Sequence, residues 1–247
     1  MEKIKLFCLP YAGGSSMVFN RWERYLSNNI ELVGVELAGR GKRSNESLYE
    51  NVNEAINDIY GIIAKQIVDG QPYAIYGHSM GSMLAYEVAQ KISINKLPEP
   101  LHVFFSGRGA PHLKSSREKE YHSMEEKEFE KAIIHLGGTP KEFFEHPELM
   151  EYLIPVLKSD FKISETAVRS QQIIPLNYDI TIMVGKEEDE IEAENVHGWH
   201  LHTSQLCTVY YFNGGHFFIN NDMEKVTGIL SGQLAVSNKA AIRLSAR

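Results

Sequence analysis

Three short stretches of this 247-residue chain carry side chains of the kind that do covalent chemistry. The first is Gly77-His78-Ser79-Met80-Gly81, between an apolar run at 73–76 and a helix-like run at 82–91. A G-x-S-x-G segment in that setting puts its serine on a strained strand-to-helix turn, with the hydroxyl standing above the sheet and glycines keeping Cβ atoms out of the crowded corner. The helix that starts behind the serine aims its free N–H groups and the positive end of its dipole at the same spot. The second stretch is the acidic turn Lys186-Glu187-Glu188-Asp189-Glu190, and the third is Asn213-Gly214-Gly215-His216. A hydroxyl becomes an effective nucleophile when an imidazole takes its proton, and a carboxylate behind that imidazole holds the right tautomer. The three stretches together suit attack on an acyl carbonyl.

These side chains need elements to hold them, and the chain supplies an alternating set. Residues 4–9 (IKLFCL) read as a first strand, followed by the loop Tyr11-Ala12-Gly13-Gly14-Ser15-Ser16 and a helix over about 18–26. The loop lacks both the G-x-G-x-x-G spacing and a P-loop lysine, so it reads as a source of backbone N–H for an oxyanion rather than as a phosphate cradle. Residues 30–37 read as a second strand. Val52, Ile56, Ile59, Ile63 and Ile67 then recur at helical spacing. Apolar runs at 73–76, 101–106, 179–184 and 207–212 complete the strands. Strands alternating with helices predict an α/β fold with a mainly parallel sheet flanked by helices. Asp189 and His216 then follow consecutive strands, and the order Ser79, Asp189, His216 is that of an α/β-hydrolase triad.

Between about 107 and 175 the alternation stops. Pro111, Gly137-Gly138, Pro140, Pro147 and Pro155 punctuate short amphipathic pieces, among them 128–136 and 148–157. A helical insertion after a core strand sits at the carboxyl edge of the sheet, where a lid would lie. The length suits one large domain, taken as residues 1–232. The charge of −7, from 25 basic and 32 acidic residues, argues against nucleic acid. Charged residues 1–5 lead straight into a strand, and no apolar stretch approaches 18 residues, so neither a secretory leader nor a membrane span is expected and the location is read as cytoplasmic. Cys8 and Cys207, each in an apolar run, read as small buried hydrophobes. His197, His200 and His202 have a spacing that suggests zinc, but on a polar helix away from the triad no metal is expected.

At this point the chain resembles a type II thioesterase, the stand-alone editing hydrolase of nonribosomal peptide and polyketide synthetases. The likeness runs from Leu6 to about Leu230. It rests on Leu9-Pro10-Tyr11-Ala12-Gly13-Gly14, the 37–43 stretch, Gly77 to Gly81, Ser106-Gly107-Arg108, Leu136-Gly137-Gly138-Thr139-Pro140, Leu153-Ile154-Pro155 through Asp160-Phe161, and Gly214-Gly215-His216-Phe217-Phe218. The resemblance implies Ser79 as nucleophile, His216 as base, and the N–H groups of Met80 and Ala12 as oxyanion donors, with no cofactor and no metal. The family's aspartate falls three or four residues after the glycine, where this chain has Glu188 and Asp189. Asp189 is preferred as the shorter carboxylate reaching from a turn, with Glu188 the alternative. Residues 233–247 have no counterpart and read as a tail, disordered or appended.

The implied substrate is an acyl or aminoacyl group misloaded on the phosphopantetheine arm of a carrier domain, with the protein acting as a monomer in antibiotic-type biosynthesis. Rival readings are a small-molecule carboxylesterase or acyl-CoA thioesterase on the same fold, or a carrier-binding protein without catalysis. Arg40, Lys42 and Arg43, like Lys114, Arg117 and Lys119 of the insertion, read as solvated surface when each run is taken alone, or together as a positive rim that steers an acidic carrier.

Overall fold

The computed structural model describes residues 3–67, 70–139, 142–167 and 172–245. Six strands form one sheet: β1 (Ile4–Leu9), β2 (Ile30–Gly34), β3 (Tyr73–His78), β4 (His102–Ser106), β5 (Ile180–Gly185) and β6 (Cys207–Phe212). Their order is β2-β1-β3-β4-β5-β6, and every pairing is parallel. Strands covered on both faces need apolar residues at successive positions, and β1 shows why. Ile4, Leu6 and Cys8 enter the core on one side of the sheet, while Phe7 and Leu9 enter the core on the other. The first core packs against α8 (Met223–Ser245), and the second against α1 (Val52–Ala64) and α2 (Met80–Ile94).

The chain begins inside the sheet, runs outward to β2, then crosses back to β3. The loops after β1 and β3 therefore depart in opposite senses and leave a crevice at the carboxyl edge. Register aligns that edge, with Leu9 beside Gly77, His78 beside Ser106, and Gly185 beside Phe212. The glycine loop, the G-x-S-x-G turn, the acidic turn and the histidine loop all leave from this line.

Between β4 and β5 the insertion holds α3 (Glu126–Leu136), α4 (Glu142–Glu145) and α5 (Pro147–Thr166). It has a small core of its own, built on Tyr121, Phe129, Ile133, Leu153 and Leu157. Pro155, which falls within the piece expected over 148–157, lies inside the longer α5. The helix expected over 18–26 is a 3-10 helix, Ser16–Trp22, and the second strand stops at Gly34. Pro140 lies outside the described residues. After β5 come α6 (Ala193–His197), a 3-10 turn, then β6, α7 (Phe218–Asn221) and α8. The stretch from 233 onward, expected as a tail, instead continues α8 as far as Ser245, with Leu234 fully buried and Ser237 Oγ at 3.1 Å from His102 Nδ1. Among the described residues no helix is long and apolar enough to cross a membrane.

Candidate active site

Ser79 is the last residue before α2, at φ 56° and ψ −116°. A non-glycine residue in that region costs about 1–3 kcal/mol and persists only where its surroundings enforce it. Here the Ser79 N–H donates to the Ser106 carbonyl at 2.8 Å. The Ser82 hydroxyl, one turn on, accepts from the Ser106 N–H at 2.7 Å and lies 2.8 Å from the Gly77 carbonyl. The glycines are there for space. A Cβ on Gly77 would come within 2.0 Å of the Gly81 carbonyl oxygen, and one on Gly81 within 2.2 Å of the Leu9 carbonyl oxygen. α2 can approach the ends of β1 and β3 this closely only with hydrogen at both places.

His216 arrives on the loop after β6, which is zipped to the loop after β5: Lys186 N–H donates to Phe212 O at 2.9 Å and Glu187 N–H to Gly214 O at 3.0 Å. The carboxylate that meets the imidazole is Glu188. Its Oε1 is hydrogen-bonded to His216 Nδ1, and its Oε2 accepts the Gly185 N–H at 3.1 Å. Asp189, the expected acid, is exposed and is not the carboxylate bonded to His216. The reason is the geometry of a tight turn: Glu188 folds back over the end of its own strand, and its extra methylene spans the gap to the next strand's loop. Behind His216 lies His78, fully buried, its ring 5.0 Å from the His216 ring and its Nδ1 2.8 Å from Ser106 Oγ. Burial, and then the proximity of His216, hold His78 well below the usual histidine pKa, so it packs as a neutral ring.

Ser79, Glu188, Asp189 and His216 all line one cavity of about 480 Å³. Its apolar wall includes Met83, Leu113, Phe161 and Trp199. His202 also lines it, contrary to its expected place away from the site. Its Nδ1 is 2.9 Å from Tyr86 Oη and its Nε2 2.7 Å from His112 Nδ1, and burial with the neighbouring His112 pushes its pKa down to about 4. Exposed His200 packs on His197 instead, so the three histidines diverge. Among the described residues no group of three or more metal-capable side chains converges. Met80 opens α2, whose first N–H groups have no partner within the helix, and Ala12 lies in the loop that leaves β1 beside β3.

The pattern of the Thioesterase domain family matches residues 4–234. The chain belongs to that family. This thioesterase is 32% identical over 235 residues to linear gramicidin dehydrogenase LgrE of Brevibacillus parabrevis, covering 94% of this chain and 88% of that protein. It is 29% identical over 234 residues to gramicidin S biosynthesis protein GrsT of Aneurinibacillus migulanus, covering 94% and 89%. Among solved structures it superposes on ClbQ from the colibactin NRPS/PKS pathway with a TM-score of 0.90 at 31% identity, over 97% of this chain and 100% of that one.

The cations of the thioesterase differ from their expected disposition. Arg40, expected on an exposed rim, is 3% exposed and bonded to Asp160 of α5. Arg43 is paired with Glu46 and Asp58. Both are held by neighbouring carboxylates, which leaves Lys42 as the exposed cation of that loop. Lys114 and Arg117 are more than half exposed and loosely paired, at 3.8 and 3.9 Å from Glu120 and Glu192. Sequence reasoning noted Asp160 only within a family-like stretch and missed its pairing with Arg40, along with the inward course of that arginine. The one available signal was an arginine set among glycines and a single aspartate in the amphipathic helix of the insertion.

Proposed function

We propose that this thioesterase hydrolyses acyl or aminoacyl thioesters on the phosphopantetheine arms of carrier domains, clearing arms loaded with the wrong group for a peptide or polyketide synthetase in the cytoplasm. The observation that carries the proposal is the strained Ser79 turn opening on the same cavity as a histidine whose Nδ1 is held by a buried glutamate. Ser79 Oγ attacks the thioester carbon while its proton passes to His216 Nε2. The carbonyl electron pair moves to oxygen, which the N–H groups of Met80 and Ala12 stabilise. Collapse expels the thiolate, which takes the proton from His216, leaving an acyl-serine. Water then attacks with His216 again as base, releasing the carboxylic acid and Ser79. Glu188 keeps Nδ1 protonated and stabilises the imidazolium throughout.

The pathways named for GrsT and ClbQ favour a carrier-bound substrate over a free ester. LgrE bears a dehydrogenase name, but the loop at 11–16 lacks the dinucleotide-binding spacing, so hydrolysis is the better reading here. Steady-state hydrolysis of one acyl group as acyl-holo-carrier, acyl-CoA and oxygen ester tests the proposal. The carrier should give the highest kcat/KM, and Ser79→Ala should abolish turnover of all three down to what binding and the oxyanion donors alone supply. Equal turnover by folded Ser79→Ala, or a preference for the oxygen ester, would overturn it.

A further inference from the structure

The glycine loop after β1 is fastened to α5 by an ion pair that the steps above do not use. Arg40 and Asp160 have side chains 3% and 1% exposed, and they meet through two bonds, Nη1 to Oδ2 at 2.5 Å and Nη2 to Oδ1 at 2.7 Å. Each also grips the loop: Asp160 Oδ2 accepts the Gly13 N–H at 2.8 Å, and Arg40 Nη1 donates to the Gly14 carbonyl at 3.2 Å. Gly13 has φ +75°, and a Cβ there would stand 2.4 Å from Leu157 Cδ2, so α5 lies directly on the loop. A buried ion pair is a poor stabiliser, since well-packed apolar residues of similar volume often serve as well. What the bidentate fork supplies is direction. Here that direction fixes the Ala12–Gly13 peptide.

We propose that Asp160, aligned by Arg40, is a positioning residue for the oxyanion hole: by holding the Gly13 N–H it keeps the adjoining Ala12 N–H aimed above Ser79. The inference rests on the reading of Ala12 and Met80 as donors. Such donors act because they are preorganised, and a misplacement of about 1 Å costs about 10²-fold.

The test uses two variants and two ligands. Asp160→Asn removes the charge. Arg40→Met/Asp160→Leu removes both charges, so no lone ion is left buried. One ligand is a pantetheine thioether carrying a trifluoromethyl ketone: Ser79 Oγ bonds to its carbonyl carbon, the π pair becomes an oxyanion, and the serine proton goes to His216. The other is the same thioether with a methylene in place of the ketone. In folded variants kcat should fall by about 30- to 100-fold with KM changed less than about threefold, and the ketone should lose affinity by a similar factor while the methylene analogue holds within about twofold. Unchanged kcat, parallel loss of both ligands, or failure of both variants to fold would overturn the proposal and leave the pair as a structural clamp. Wild-type protein that bound the two ligands equally would instead overturn the oxyanion assignment itself.

Discussion

At the residue scale the site turns on which of two adjacent carboxylates faces His216. Glu188 is buried and hydrogen-bonded to both His216 and Gly185, whereas Asp189 is exposed. Glu188→Gln should therefore cost on the order of 10²–10⁴ in kcat, because the tautomer is no longer enforced. Asp189→Asn should stay within about threefold of wild type, and thioester turnover of the two purified variants decides between them. Ser79 and His216 were legible because glycine spacing and strand order mark them. The acid was narrowed to Glu188 or Asp189 but not to one of them, because the direction of a side chain in a turn depends on dihedral angles that residue spacing does not encode. Arg40 was misread for a related reason. A charged loop reads as solvated surface until the element that covers it is known, and Asp160 lies 120 residues away.

At the element scale the strands were the most readable, since residues apolar at successive positions mark strands buried on both faces. The first and last strand were read with their observed ends. The helices were less so. Local propensity marks Pro155 as a break, yet α5 continues through it, with Leu153, Leu157 and Asp160 held by the insertion core and the glycine loop. The far end of α8 was missed because it lies beyond the stretch that resembles the family, though Leu234 is fully buried. Deleting residues 233–247 should consequently destabilise the fold by about 2–5 kcal/mol, the range for emptying one such core position. Urea unfolding of the truncated chain would show this as a lower midpoint.

At the scale of the whole molecule, stability should depend on pH through its buried histidines. His102, 1% exposed between Thr181 and Ser237, is pushed by burial down to about 4. Between about pH 6.5 and pH 4 the unfolded chain binds a proton at this position that the native state refuses, so stability falls as pH falls through that window, by up to about 3 kcal/mol. His102→Gln should flatten the decline, as read by denaturant titrations at pH 7.0 and 4.5. Charge acts at this scale as well. Reversing Lys114, Arg117 and Lys119, the exposed cations beside the cavity, should reduce kcat/KM on acyl-carrier about tenfold at low salt and less at 0.5 M, with small thioesters nearly unaffected. The fastening of α5 has a further consequence, for heredity and engineering. Tyr152 donates to the Gly39 carbonyl at 3.2 Å, Leu157 rests on Gly13, and Asp160 holds Arg40, so the second half of the insertion is wired into two loops of the parent sheet. The insertion is therefore not a cassette that can be exchanged whole. A graft that joins at Gly138 and leaves α5 native should yield a working chimera, whereas one that imports a foreign α5 would have to bring its own counterparts of Gly13, Gly39 and Arg40.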